Sequence, residues 1–125
     1  MMNFDQKTPI YLQLATHIRE AILAGDLPEG EAIPSVRQLS VEQSLNPQTV
    51  LNATQLLIQE GLLEKRRGLG YFVLPGAQQQ LQEDDLERFK QELLPALVEQ
   101  AQRLGLSASD LIKLVQSAYR KGGQA

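Results

Sequence analysis

Two helix-start signals lie close together in the first half of the sequence, with too few residues between them for a long connection. Ser35 precedes an apolar series at Val36 and Leu39, and Asn46-Pro47 precedes a second apolar series. Ser and Asn are favoured N-cap residues, and Pro is favoured at the first position of a helix. The spacing therefore predicts two short helices joined by a tight turn through residues 44–46.

A longer helix is predicted before this pair. It begins at Thr8-Pro9, with Thr8 as the N-cap residue, and it ends at Gly25. Its apolar residues recur at helical spacing and form one stripe: Ile10, Leu14, Ala15, Ile18, Ile22 and Leu23. Residues 26–34 contain two prolines and Gly30, so we expect a loop there.

A β-hairpin is predicted after the third helix, which Gly61 ends. Two β-compatible runs, residues 62–65 and 71–74, flank Gly68 and Gly70. Three helices followed by a hairpin outline a winged helix-turn-helix. The expected fold class is therefore mainly α with a small β-hairpin wing, followed by a two-helix C-terminal extension.

The outward positions of the third helix are polar. They include Gln48, Thr49 and Asn52. In a helix-turn-helix the second helix of the motif presents such positions to base edges in the major groove. Asn and Gln can pair with adenine, and Thr can bond to a base edge or touch a thymine methyl group. The alternative is a polar helix face without a partner.

Cations are concentrated at the predicted hairpin tip, Lys65-Arg66-Arg67-Gly68. Three cations on a narrow turn suit phosphate contact or insertion into a minor groove, and a solvated turn without a partner is the alternative. Arg37, in the first turn of the second helix, is placed to hold a phosphate or to pair with Glu31 or Glu42. The helix N-termini at Ser35 and Asn46 can offer backbone N–H groups to phosphates as well.

Residues 9–74 resemble the N-terminal DNA-binding domain of the GntR family of bacterial transcription regulators. The order and spacing of several fragments carry the resemblance: Pro9-Ile10-Tyr11, Gly25-Asp26-Leu27-Pro28-Glu29-Gly30, Ile33-Pro34-Ser35-Val36-Arg37-Gln38-Leu39, Asn46-Pro47-Gln48-Thr49-Val50, Glu60-Gly61-Leu62-Leu63 and Arg66-Arg67-Gly68-Leu69-Gly70-Tyr71-Phe72-Val73. The resemblance implies a transcription regulator that binds double-stranded DNA as a homodimer, acting as a repressor on an inverted-repeat operator. It therefore predicts DNA contacts for Ser35, Arg37, Asn46 and the outward residues and cations named above.

The chain departs from the family pattern in the third helix. The family commonly has Arg where Asn52 stands and an aromatic residue where Thr54 stands. No Lys or Arg occurs between Gln38 and Glu64. We therefore expect target choice to depend on the Asn and Gln contacts and on the wing, or the affinity to be modest.

The C-terminal region is predicted to be helical and to serve dimerisation. Pro75-Gly76 marks a boundary, so the expected domains are residues 1–75 for DNA binding and 76–125 for dimerisation, with 77–82 as a linker or a ragged helix start. This region is similar to the short tail of the YtrA-type subgroup, and the resemblance implies its dimerisation role. The residues expected at the dimer contact are apolar and recur at helical spacing: Leu86, Phe89, Leu93, Leu97, Leu104, Leu111, Val115 and Tyr119. Pro95 is expected to kink or restart the helix that carries them.

Composition excludes several classes of site. The chain has no Cys and one His, so it offers neither a thiolate nucleophile nor a His-rich metal site, and we expect no catalytic residues, no metal and no cofactor. His17 is interpreted as a partly exposed helical residue. Whether a small-molecule effector binds is open at this point.

Net charge at first argues against a nucleic-acid partner. The chain carries −3 at pH 7, and residues 1–74 alone carry six Lys and Arg against eight Asp and Glu. DNA binders usually have a basic excess, so a winged helix that binds another protein is the alternative function. No apolar run is long enough to span a membrane, and we expect a cytoplasmic protein without membrane contact.

Overall fold

The computed structural model describes residues 4–122 and divides the chain into two compact units, of which the first ends at Glu83 and the second begins at Asp84. The helices and strands follow in this order: α1 (Ile10–Ala24), α2 (Val36–Gln43), α3 (Pro47–Gln59), β1 (Leu63–Arg66), β2 (Gly70–Val73), α4 (Ala77–Arg88), a π-helical turn (Phe89–Leu93), α5 (Leu94–Arg103) and α6 (Ala108–Lys121). The predicted fold class, mainly helical with one small antiparallel hairpin, is confirmed.

The core of the first unit lies between α1 and α3. Each helix contributes most of its apolar residues to this core; of the stripe predicted for α1, Leu23 is half-buried and Ile10 is exposed. The buried residues of the two helices are Leu14, Ala15, Ile18, Ile22, Val50, Ala53, Thr54 and Leu57. Ile10 was expected in the stripe, but it is 42% exposed at the first position of α1.

The caps of α2 and α3 form as the sequence predicted. The Gln38 N–H donates to Ser35 Oγ over 3.0 Å, and the Ser35 N–H donates to Gln38 Oε1 over 2.8 Å, which completes a capping box. The Gln48 N–H donates to Asn46 Oδ1 over 2.8 Å, with Pro47 in the first helical turn. Ser44, between the helices, adopts the left-handed conformation with φ of 55° and makes the turn tight.

The start of α1 differs from the prediction by one residue. Pro9 is the N-cap residue, and no side chain caps the helix. Thr8 instead lies in a turn in which its N–H and that of Lys7 donate to Asp5 Oδ1. Asp5 therefore holds the turn that precedes α1, and the Thr8 side chain does not cap the helix.

The hairpin pairs Leu63 with Val73 at one end and Arg66 with Gly70 at the other. A third extended segment, residues 30–33, lies on the other side of β2. The Ile33 N–H donates to the Tyr71 carbonyl over 2.9 Å, and the Val73 N–H donates to the Glu31 carbonyl over 3.0 Å. The prediction of a loop rested on the flanking prolines. The sequence alone did not show the extended conformation, because the hydrogen-bond partners lie in a distant strand.

Residues 77–82 form the start of α4, so the linker interpretation was wrong and the helix-start interpretation was right. Ala77 and Leu81 are buried in the core of the first unit. The Glu29 carboxylate, far away in sequence, accepts the N–H groups of Gly76 and Gln78 over 3.0 Å each. These bonds lower the pKa of Glu29 below its ordinary value of 4.5, because they stabilise the ionised form.

In the second unit the chain restarts its helix around Pro95. Pro95 has no N–H for the carbonyl four residues earlier, and a π-helical turn, in which the Leu94 N–H donates to the Phe89 carbonyl, precedes it. Ser107 and Asp110 form a capping box at the start of α6. The backbone N–H of Ser107 lowers the pKa of the Asp110 carboxyl. Among the described helices, none is long and apolar enough to cross a membrane.

Candidate nucleic-acid interface

The outward face of α3 is polar and accessible. Gln48 and Asn52 are exposed, and Thr49 is half-buried. The Gln48 Nε2 amide donates to Asn52 Oδ1 over 3.0 Å, across one helical turn. Leu51 adds an apolar side chain to this face and is 38% exposed. The face therefore combines amide hydrogen-bonding groups with one apolar contact and has no charge.

Thr54 faces the core and not this surface. It is 1% exposed, and its hydroxyl donates to the carbonyl of Leu51 over 2.9 Å. A buried hydroxyl needs such a partner, since an unsatisfied one would cost about 1–3 kcal/mol. The departure from the family pattern at Thr54 thus affects the packing of α3, whereas the departure at Asn52 affects its outward face.

The wing, residues 63–73, does not carry its three cations on one turn as predicted. Lys65 and Arg66 lie in β1, and the turn consists of Arg67, Gly68 and Leu69. Because side chains alternate along a strand, Lys65 and Arg66 point to opposite faces of the hairpin. The prediction placed the turn two residues too early, because strand pairing continues as far as the pair Arg66 and Gly70.

Arg66 is held against the hairpin. Its guanidinium carbon lies 4.0 Å from the centre of the Phe72 ring, and its Nη2 lies 3.5 Å from a carboxylate oxygen of Glu64. Both charged side chains stay partly exposed, so the ion pair itself contributes little stability. The stacking fixes the direction of Arg66 and leaves Arg67 as the cation at the turn.

Arg37 lies exposed in the first turn of α2, beside the capping box of Ser35. Within residues 4–122 no ion pair joins Arg37 to Glu31 or Glu42, the alternative that the sequence left open. The Ser35 side chain accepts the Gln38 N–H, so it serves the cap. Asn46 likewise uses its side chain to cap α3.

One basic residue of the first unit is held in an ion pair between helices. Arg19 on α1 forms a two-bond ion pair with Glu60 at the end of α3, over 2.8 Å and 2.7 Å. Gln80 Nε2 of α4 donates to the backbone carbonyl of the same Glu60. These bonds join α1 and α4 to the end of α3. No local pattern in the sequence predicts them, since the partners are far apart in the chain.

The residues predicted at a dimer contact lie in the second unit, and all but Leu111, which is half-buried, are exposed. Leu93 is 61% exposed and Leu104 is 74% exposed. An open apolar cleft of about 310 Å³ lies between α5 and α6, with Leu97 and Val115 among its lining residues. The second unit buries one residue, Ala101, among those described. Its apolar side chains thus lack a core of their own.

No cluster of acidic or histidine side chains within the described residues could hold a metal ion. His17 is half-buried on α1 and packs edge-to-face on Phe4, with ring centres 6.0 Å apart. The residue is thus used in packing.

Comparisons with known proteins agree with this arrangement. Residues 10–73 match the family described as bacterial regulatory proteins, gntR family. The HTH-type transcriptional repressor YtrA of Bacillus subtilis is 33% identical to this chain, over 99% of the chain and 98% of the relative.

Solved structures give the same result. A GntR family transcriptional regulator from Listeria monocytogenes superposes with a TM-score of 0.74 at 26% identity and covers 91% of this chain and 98% of its own. The DNA-binding domain of AraR, solved in complex with operator ORR3, matches with a TM-score of 0.53 at 26% identity, over 58% of this chain and 88% of its own.

Proposed function

The chain belongs to the GntR family of bacterial regulatory proteins, which are DNA-binding transcription regulators. From that premise we propose that it is a repressor that binds an inverted-repeat operator as a homodimer. The observation that carries the proposal is the polar outward face of α3 beside a wing with exposed cations. The relatives are regulators and not enzymes, in agreement with the expectation that the chain has no catalytic site.

In this proposal α3 enters the major groove. Gln48, Thr49 and Asn52 reach base edges there. Lys65, Arg66, Arg67 and Gly68 bring the wing to the flanking backbone or minor groove, with Arg67 at the turn. Arg37 and the α2 and α3 starts at Ser35 and Asn46 contact phosphates. The structure of a relative with its operator, the AraR domain, supports DNA as the partner of this fold.

The homodimer is proposed from the exposed apolar residues of the second unit. Leu86, Phe89 and Leu93 lie near the start of this series, and each is about half exposed or more. A contiguous apolar surface of this kind marks an interaction site, and a second copy is the simplest partner that presents the same chemistry. The proposed roles are DNA binding for residues 1–75 and dimerisation for residues 76–125, of which Ala77 and Leu81 also pack in the core of the first unit.

A two-fold dimer predicts operator half-sites about one helical turn apart, or ~10 bp and its multiples. The repressor role is proposed from the whole-length relative that bears that description. Such a protein would act on DNA in the cytoplasm. A small-molecule effector, if one exists, has the apolar cleft between α5 and α6 as its candidate site.

The experiment is selection of bound sequences from a random duplex library, combined with the mass of the complex in solution. We expect one enriched inverted repeat and two protomers per duplex. Leu93→Glu is the matched variant, because it places a charge in the apolar series without touching the first unit; it should give a monomer with much weaker operator binding. Absence of enrichment at low salt would contradict the DNA-binding role and favour the protein-interaction module.

A further inference from the structure

The hydrogen bond between Gln48 and Asn52 joins two candidate base-reading side chains. Gln48 Nε2 donates to Asn52 Oδ1 over 3.0 Å, and both side chains are exposed. Positions four residues apart in a helix lie on the same face, so the two amides point to one place outside α3. We propose that Gln48 and Asn52 act as one hydrogen-bonding unit that reads a single adenine in each operator half-site. The inference rests on the proposed DNA-binding function.

The remaining hydrogen-bonding groups of this unit match adenine. After the internal bond, Gln48 keeps its carbonyl oxygen as an acceptor, and Asn52 keeps both N–H groups of its amide. Adenine presents the N7 acceptor and the N6 donor in the major groove. The Asn52 amide donates to N7, and the Gln48 carbonyl accepts from N6.

Guanine does not fit the same unit. It presents two acceptors, N7 and O6, in the major groove. The Gln48 carbonyl would then face O6, so two acceptors would meet and one would lose its partner. An acceptor that loses its water and finds no donor raises the free energy of binding. The pair of amides should therefore disfavour guanine as well as favour adenine.

The internal bond also prepares the unit for binding. Two free amide side chains would each lose rotamer freedom when they contact a base. In this chain part of that loss has already occurred in the free protein, because each side chain restrains the other. Prior ordering of this kind raises affinity without adding contacts.

The rest of the α3 face supports an A·T-rich target. No Lys or Arg lies between Gln38 and Glu64, so α3 lacks the cation that most often reads guanine. Leu51, 38% exposed beside Asn52, offers an apolar contact for a thymine methyl group. The cations of the proposed interface are Arg37 and those of the wing. Base selection and phosphate attraction are therefore made by different elements.

The test uses the full-length protein and the duplex enriched by library selection. The base pair to be changed is the one at which Asn52→Ala no longer prefers adenine. At this position adenine is replaced by guanine in one duplex and by 7-deazaadenine, which lacks the N7 acceptor, in another. We expect each change to weaken binding by about 5- to 150-fold for the unmodified protein. Gln48→Ala and Asn52→Ala should each lose most of this discrimination at the same base pair.

The double variant separates one unit from two independent contacts. If the amides act together, Gln48→Ala with Asn52→Ala loses little more discrimination than either single change. Additive losses, or preferences that relax at two different base pairs, would overturn the inference. Gln82→Ala is the matched control, since Gln82 is an exposed glutamine of α4, outside α3, and should leave that base pair unaffected.

Failure of the inference is distinguishable from failure of the proposed function. A protein that selects no sequence from the library contradicts the DNA-binding role itself. A protein that selects a sequence with G·C pairs at the positions Gln48 and Asn52 control keeps the function and refutes adenine reading.

Discussion

Replacing Arg67 by Ala removes the cation at the turn of the wing while leaving the strands that support it. Arg67 is exposed and lies between β1 and β2, outside the ladder that ends at Arg66 and Gly70. Arg66 is stacked on Phe72 and lies beside Glu64, so Arg67 is the less restrained of the two guanidinium groups. Its loss should therefore report on phosphate contact more than on folding.

The magnitude follows from counterion release. Each phosphate contact contributes about 0.9 to the slope of log affinity against log salt. Arg37, Lys65, Arg66 and Arg67 on both protomers would give a slope of about −7 if all contacted phosphates. Arg67→Ala removes one contact per protomer and should reduce the slope by about 1.8. Between 50 and 200 mM salt, the affinity of the variant should then fall about 12-fold less than that of the unmodified protein.

The assay is a titration of the selected operator duplex and of an unrelated duplex at four or more salt concentrations. Arg103→Ala is the matched control. It removes the same charge from the second unit, where Arg103 pairs with Glu99 over 2.6 Å on an exposed surface. The variant at Arg103 should keep the slope of the unmodified protein. An Arg67→Ala slope equal to that of the control would refute the wing contact, and a loss confined to the selected operator would assign Arg67 to base reading.

Three further predictions concern stability. Glu29→Gln should lower the free energy of unfolding at neutral pH, because the pKa of Glu29 is depressed in the folded chain by the N–H groups of Gly76 and Gln78. The ionised carboxylate contributes fully to the free energy of unfolding above its unfolded pKa, near 4.5, and this contribution is lost as pH falls through the lower folded pKa. Urea titrations should therefore give the same stability for both proteins well below pH 4.5. A difference in stability that does not change with pH would contradict this. Leu57→Ala, at a fully buried position, should cost about 2–5 kcal/mol in the same assay, whereas Leu51→Ala on the exposed face should cost much less. Gly68→Ala should lower the free energy of unfolding by about 1–2 kcal/mol, because φ is 76° at this position and no atom lies near the added methyl group. Faster amide exchange in β1 and β2 would show this loss, and unchanged exchange would contradict it.

The negative charge of the chain agrees with a DNA-binding site that uses few cations. Of the six basic residues in positions 1–74, Arg19 is paired with Glu60 and Lys7 precedes α1, so the proposed interface uses four: Arg37, Lys65, Arg66 and Arg67. Few phosphate contacts per protomer mean that non-specific affinity is low and that its salt slope is shallow. Operator binding should then depend strongly on dimerisation, because two weak sites on one duplex bind together with a high effective concentration.

Local signals in the sequence were sufficient for α2 and α3 and for their caps, but not for the cap of α1. The Ser35 capping box, the Asn46-Pro47 start and the buried stripe of α3 all depend on residues within one or two helical turns of each other. The hairpin was also predictable, since its glycines and β-compatible runs are adjacent in the chain. For the same reason the helical period of α3 was enough to place the polar residues Gln48 and Asn52 on its outward face.

Contacts between distant parts of the chain needed the tertiary structure. Residues 30–33 become extended because β2 supplies their hydrogen-bond partners, and Glu29 caps α4 because the fold brings it to Gly76. The register of β1 and β2 decided which cation lies at the wing turn and which stacks on Phe72. The spacing of residues along the chain predicts the contacts that a residue makes within one or two helical turns. The tertiary fold determines which distant backbone group accepts or donates a hydrogen bond and which ring a guanidinium group stacks on.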